Sequence, residues 1–285
     1  IGASEVAALY GVGYESAYSL WAKKSGLLPS EESDDERLYW GKKIEPVIIQ
    51  GLTDREGIFA SPWPQDRFVA SQECEGLGCT PDAVIESSFN ACEYDGVVEI
   101  KNVGEYMASE WKDGVPLRFQ CQCQAQIATL DCDYAIVAAL VGGNRLVTHR
   151  IERHDAFIAD LYKRVREFWR QVESNEPPPV DGSRQTTEAL RILHPADNGE
   201  TVQLDNALEV ATFDLMNYRK QAKSYEEMAA RVENAIRAAI GDNTYGVLPS
   251  GAKWAWKTQE RKGYTVGASV SRVLDRKSTR LNSSH

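Results

Sequence analysis

Apolar positions recur at spacings of three and four residues in several stretches of the chain and alternate in others. "EVAALYG" after Ser4 reads as a short helix with a serine N-cap and Gly11 as its stop. "SAYSLWAKKSG" reads as a second helix ending at Gly26. In "RLYWGKKIEPVIIQGLTDREG", Leu38, Ile44, Val47, Ile48 and Leu52 have helical spacing, with Pro46 expected in a first turn or at a kink. A strand-rich stretch follows. "RFVAS" is a candidate strand, and "AVIES" and "YDGVVEIK" form two more, joined by a turn near Ser88–Ala91. "LRFQCQCQAQIATL" fits a helix striped by Phe119, Cys123, Ile127 and Leu130. "YAIVAALVGGNRLVTHRI" is a hairpin turned at Gly142-Gly143. "HDAFIADLYKRVREFWRQVE" is an amphipathic helix. This order of elements predicts an α/β fold with a central mixed β-sheet flanked by helices.

The pattern breaks at "SNEPPPVDGS", where three prolines favour extended chain. Beyond it, Leu208, Ala211, Leu215, Tyr218, Ala222, Tyr225, Ala229, Val232 and Ile236 follow a heptad, predicting a long helix with one narrow apolar seam. "YGVLPSGAKWAWKTQERKGYTV" alternates like a small hairpin. The tail "DRKSTRLNSSH" has no periodicity and resembles translated adapter sequence. The expected organisation is a catalytic core over residues 1–175, a linker over 176–204, a helical arm with a hairpin over 205–274, and a non-native tail over 275–285. The start at Ile1, directly in structured-looking sequence, reads as a missing N-terminal segment.

Composition narrows this picture. The 285 residues are 42% hydrophobic, enough for one sizeable core and an appendage. No apolar run approaches membrane-spanning length and no export signal opens the chain, so a cytoplasmic location is expected. The formal net charge of −10 argues against a nucleic-acid partner at first sight. The charge is patterned, however: acids cluster at 31–36, while Lys253 to Arg280 carries eight Lys or Arg against two acids. The six cysteines form no C-x-x-C pair and read as reduced thiols. The four histidines lack zinc-ligand spacing.

The candidate chemistry lies in "GVVEIKNVGEYMASEW". Glu99 and Lys101 share one face of an apolar strand, opposite Val98 and Ile100, where a solvated strand face is the plain alternative. Asp82 stands 17 residues earlier in "CTPDAVIE", at the mouth of the partner strand, behind Pro81. Glu45 sits on the shoulder of a helix stripe between Ile44 and Val47. Three carboxylates converging on one lysine suit a hard cation, Mg²⁺ or Mn²⁺.

Asp82 followed by Glu99-x-Lys101 resembles the PD-(D/E)XK nuclease signature. "IGASEVAALYG", "SLWAKKSG", "WGKKIEP", "TPD", "VVEIK", "WKDGVP" and "FQCQCQ" occur in the order of the YqaJ-like viral recombinase family, which includes phage-lambda-type exonucleases. The resemblance implies a restriction-endonuclease-like core and a Mg²⁺-dependent 5′→3′ exonuclease acting on linear double-stranded DNA within a phage recombination module. It implies metal ligation by Glu45, Asp82, Glu99 and the Ile100 carbonyl. Lys101 would activate or position the attacking water, Gln122 would orient water or phosphate, and Ser4, Gln122 and Gln124 would contact DNA. It further implies a single-strand annealing protein as partner and a ring-shaped homotrimer. The arginine that the family places at the 5′-phosphate falls before Ile1, and Asn102 stands where a small or thiol residue is more frequent. A RecB-type nuclease carrying an iron–sulfur cluster and a non-catalytic DNA-binding or assembly subunit are the alternatives.

Overall fold

The computed structural model describes residues 1–29, 36–87 and 93–260, in two compact units, Ile1–Pro195 and Ala196 onward. The expected turn at Ser88–Ala91, most of the acidic loop, Cys92 and the aperiodic tail lie outside the described residues.

In the first unit a 3-10 helix, Ala3–Tyr10, leads to α1 (Ala17–Lys24) and α2 (Glu36–Glu56). Gly11 stops the first helix with φ 67°, a left-handed conformation that costs glycine nothing. Ser4 is not the cap. Gly2 occupies that position, and its N–H donates to Glu5 Oε2 at 2.8 Å, which leaves Ser4 exposed inside the first turn. α1 begins at Ser16, whose hydroxyl accepts from the Ser19 N–H. It ends at Lys24, two residues before the expected Gly26. Pro46 is not in the first turn; it lies inside α2, as its eleventh residue.

A five-stranded mixed sheet has the order β1 (Ser61–Pro62), β4 (Ala83–Glu86), β5 (Tyr94–Val103), β6 (Tyr134–Val141) and β7 (Arg145–Glu152). The short strands β2 (Val69–Ala70) and β3 (Gly78–Cys79) pair separately. β5 is antiparallel to β4 and parallel to β6. The parallel step needs a crossover, supplied by a 3-10 turn, Glu105–Trp111, and α3 (Leu117–Leu130). β6 and β7 form the expected hairpin around Gly142 and Gly143, both with positive φ.

Helices cover both faces of β5. On one face Val98, Ile100, Ile136 and Ala138 pack with Ile48, Ile49 and Leu52 of α2. On the other, Val97, Val137 and Ala139 pack with Phe119, Cys123 and Ile127 of α3. The solvated-face alternative for Glu99 therefore fails: its side of the strand lies beneath α3, and Glu99 is only 2% exposed. α4 (Asp155–Glu173) packs Leu161, Val165 and Phe168 against the first helices.

The segment expected as linker is partly structured. Ser183 caps α5 (Arg184–Leu193), which buries Thr186 and Ala189. The Thr186 hydroxyl donates to Ser16 Oγ at 2.8 Å, tying α5 to the start of α1. The Thr-Thr-x-Ala-Leu pattern after the prolines is too short for a periodicity signal, so its packing was hidden. In the second unit, α6 (Asn206–Ile240) runs 35 residues from an Asp205 cap, and β8 (Tyr245–Val247) pairs with β9 (Lys253–Ala255). Among the described residues no helix is long and apolar enough to cross a membrane.

Candidate active site

The strand β4 starts just after Pro81, which lacks a backbone donor. Its first pair is Ala83 with Val98, which puts Asp82 opposite Glu99 just before the ladder begins. There the Asp82 carboxylate replaces the missing strand and accepts the Ile100 N–H at 2.6 Å. The Ile100 carbonyl lies on the same strand edge, past that pair.

Glu99 is enclosed by donors. Lys101 Nζ and Gln122 Nε2 both donate to Oε1, the latter at 2.8 Å. Gln126 Nε2 donates to Oε2 at 2.6 Å. Gln122 and Gln126 stand one helical turn apart on α3, so one face of that helix presents two amides to one carboxylate. Gln126 is fully buried, and its Oε1 has no hydrogen-bond partner. Sequence analysis missed this residue. The signal was the Gln122-x-x-x-Gln126 spacing, which outranks the Gln122-x-Gln124 pair on a helix.

Gln124 faces elsewhere and is not brought to the cluster. It is buried, donates to the Glu152 carbonyl at 2.7 Å and accepts the His154 N–H at 2.9 Å, bracing the end of β7 against the start of α4. Ser4 lies exposed in the first helix, with no contact to the carboxylates among those described. Glu45, on α2, accepts from Gln65 at 3.2 Å. It feels the charges of Glu99 and Lys101 without touching either. Among the described residues no three His, Cys, Asp or Glu side chains are grouped closely enough to hold a metal ion between them. The hydrogen-bonded set is thus Glu99 with Lys101, Gln122 and Gln126; the strand register sets Asp82 opposite Glu99, and Glu45 lies within range of their charges.

The electrostatics show what the cluster lacks. Burial, then the Glu99 charge, push the Asp82 carboxyl well above its usual range, against the pull of Lys101 and the Ile100 N–H. Burial also raises Glu45, with Lys42 opposing and Glu99 adding to the rise. Burial lowers the Lys101 ammonium, but Glu99 and Asp82 outweigh it, and the net shift is upward. Lys101 is therefore firmly cationic, and one cation serves a group of carboxylates. A divalent cation suits this donor set: the acidic side chains offer only carboxylate oxygen, the Ile100 carbonyl belongs to the same strand, and negative charge is in excess.

A cleft of about 590 Å³ opens next to Lys101. Tyr14, Trp40, Tyr106, Trp111, Arg118 and Phe119 are among its lining residues. The Arg118 guanidinium lies 4.9 Å from the Tyr14 ring centre and 4.7 Å from that of Phe119, and Lys101 Nζ lies 4.9 Å from Phe119. Tyr14, Trp40 and Tyr106 are exposed while Trp111 and Phe119 are buried, and exposed rings beside cations fit bases and phosphates.

Removing the buried Gln126 donor tests the enclosure. Gln126→Leu is expected to lower unfolding free energy by about 1–3 kcal/mol, the cost of leaving Glu99 Oε2 unpaired. Chemical denaturation at neutral pH measures it; unchanged stability would mean that the amide does not hold Glu99.

Residues 1–133 match the model of the YqaJ-like viral recombinase domain. The chain is 26% identical over 254 residues to the uncharacterised protein YqaJ of Bacillus subtilis (strain 168), covering 87% of this chain and 77% of that one. The crystal structure of an alkaline exonuclease from Laribacter hongkongensis superposes with a TM-score of 0.50 at 19% identity, over 62% of this chain and 89% of that one. The same enzyme in complex with dAMP gives a TM-score of 0.50 at 20% identity over the same shares. The fold is thus the restriction-endonuclease-like one of these exonucleases.

Proposed function

We propose that this chain, whose residues 1–133 form a YqaJ-like viral recombinase domain, is a metal-dependent deoxyribonuclease that shortens linear duplex DNA from its 5′ ends. The observation that carries this reading is the meeting of Asp82, Glu99 and Lys101 at the start of β4, beside the aromatic and cationic cleft. The structural likeness to an alkaline exonuclease, also crystallised in complex with dAMP, supports it.

Each residue then has a task. Asp82, Glu99 and the Ile100 carbonyl would hold Mg²⁺, or Mn²⁺ in its place, with Glu45 swinging in from α2 as the third carboxylate. The cation supplies Lewis-acid stabilisation of the phosphate and of the attacking oxygen. Lys101 is charged at neutral and alkaline pH, so it acts by holding the water and countering negative charge as the phosphorus is attacked. Gln122 reaches the same Glu99 oxygen as Lys101 and would orient the water through its amide. Gln126 keeps Glu99 in place from the buried side. Arg118 and the rings around it would guide the strand toward Lys101.

A RecB-type nuclease with an iron–sulfur cluster is less favoured, because Cys74, Cys79, Cys121, Cys123 and Cys132 are buried free thiols without a C-x-x-C spacing. The test of the main reading is digestion of linear duplex DNA with and without Mg²⁺. A metal-dependent loss of duplex supports it; a shift in mobility without degradation favours the non-catalytic binding subunit.

All of these residues lie in the first compact unit, which makes catalysis separable from the arm. A chain ending at Pro195 is expected to fold, as judged by circular dichroism, and to degrade DNA at a rate close to that of the longer chain. One ending at Asn175 strips α5 from α1 and is expected to be less stable. Loss of all activity in the folded 1–195 chain would show that the second unit contributes to the site.

A further inference from the structure

The long helix α6 carries an apolar seam that is exposed along most of its length. Leu215 is 41% exposed, Tyr218 65%, Tyr225 69% and Val232 60%. Ala222 and Ala229 between them are exposed as well. Such a surface along 18 residues, roughly 27 Å of helix, is unfavourable in water unless something covers it. The far end of the helix differs: Ile240 is buried, and Ile236 borders a small pocket with Trp254 of β9. The seam is thus exposed from Leu208 to Val232, and the stretch from Leu215 to Val232 carries its two alternations of alanine and tyrosine.

The order of sizes along this seam identifies what fits it. We infer that α6 pairs with α6 of a second copy of this chain, in antiparallel orientation, centred between Ala222 and Tyr225. In that register Ala222 faces Tyr225 of the second copy, Ala229 faces Tyr218, and Leu215 faces Val232. Each layer is met twice by symmetry. Small residues meet large ones in the four central layers, and two medium residues meet at each end, so the seam fills evenly.

A parallel pairing of the same seam sets Ala222 on Ala222 and Ala229 on Ala229, with Tyr218 and Tyr225 each against itself. Voids would alternate with crowded layers, and both are costly. Charge agrees with the antiparallel register. Arg219 and Glu226 flank the seam in equivalent positions beside Tyr218 and Tyr225, and in this register Arg219 of one copy lies beside Glu226 of the other, twice. No like charges meet along the flanks, where the remaining positions are Thr212, Asp214, Gln221, Met228, Glu233 and Ala235. This inference stands on the second unit alone and does not depend on the nuclease reading.

The test uses the whole chain in a Cys92→Ser background under mild oxidation. Leu215→Cys and Val232→Cys proteins, mixed, are expected to form a 215–232 disulfide between copies. Leu215→Cys alone is expected to form none, because in this register the two copies of position 215 lie about 25 Å apart. A 215–215 disulfide would overturn the orientation. Sedimentation adds a second measure. Tyr218→Glu, on an exposed helix face where folding is not at risk, is expected to halve the mass and weaken association at least about 100-fold. Arg219→Glu is expected to weaken it about tenfold, and adding Glu226→Arg to restore it. A mass that Tyr218→Glu leaves unchanged, or capture of a different protein with no self-association, would overturn the pairing.

Discussion

Lys101→Ala is expected to slow phosphodiester cleavage by about 10²- to 10⁴-fold while leaving DNA affinity nearly unchanged. The expectation follows from where the ammonium sits. It contacts Glu99, stands over the Phe119 ring and lines the cleft, yet Glu99 keeps two further donors, Gln122 and Gln126, when the lysine is removed. The fold should therefore survive and the loss should appear in the rate. Its raised proton affinity adds a pH signature. A lysine raised above its ordinary 10.5 stays charged through neutral and alkaline pH, so its contribution to stability is present below that value and fades only as pH rises above it. Cleavage should show no inflection from Lys101 at neutral pH. Single-turnover rates within about twofold of the parent would remove Lys101 from the chemistry.

Asp82→Asn should separate activity from stability. Without metal, Asp82 is held beside Glu99 with its carboxyl raised by burial and by that charge. A raised carboxyl binds its proton more tightly folded than unfolded. Metal-free stability therefore falls as pH climbs from the ordinary carboxylate range through the raised value. At pH 7 the native protein carries that penalty and the asparagine variant does not, while its amide oxygen can still accept the Ile100 N–H. The metal-free variant is expected to be about 1 kcal/mol more stable, a rise of about 2–4 °C in melting temperature. Its cleavage should fall by about 10²-fold or more, since metal-derived charge stabilisation amounts to several kcal/mol. Mg²⁺ at about 100 times its dissociation constant should stabilise the parent by about 2.7 kcal/mol and the variant far less. Thermal denaturation with and without Mg²⁺ measures both effects. A variant that melts lower without metal would contradict the crowding of Asp82 and Glu99.

Much of this was legible in the sequence, for physical reasons that can be traced. The alternation around Val98 and Ile100 placed β5, and the position of Asp82 at the mouth of its hairpin partner allowed Asp82 and Glu99 to be brought opposite each other. The glycine pair at 142–143 and the helical stripes of α3 and α4 left little choice in those elements. The errors arose where tertiary contacts outweigh local signals. Ser4 has the right chemistry for a cap, but Glu5 reaches back to Gly2 and moves the helix start. Gln124 and Gln126 are chemically the same; only the packing of α3 on β5 turns Gln126 toward Glu99 and Gln124 toward His154. α5 is too short to announce itself by period, and its place depends on Ser16, 170 residues away. Glu45 was expected to converge on the other carboxylates, and it does feel the charges of Glu99 and Lys101 from α2, while its hydrogen bond goes to Gln65.

The most direct test of the central claim is digestion of linear duplex DNA labelled at either the 5′ or the 3′ end, with Mg²⁺, with Mn²⁺ and with chelator. Expected are immediate release of the 5′ label as mononucleotide, late release of the 3′ label, no release with chelator, and release slowed by about 10²- to 10⁴-fold in the Lys101→Ala protein. Label released equally well in chelator, or intact duplex under every condition, would contradict it.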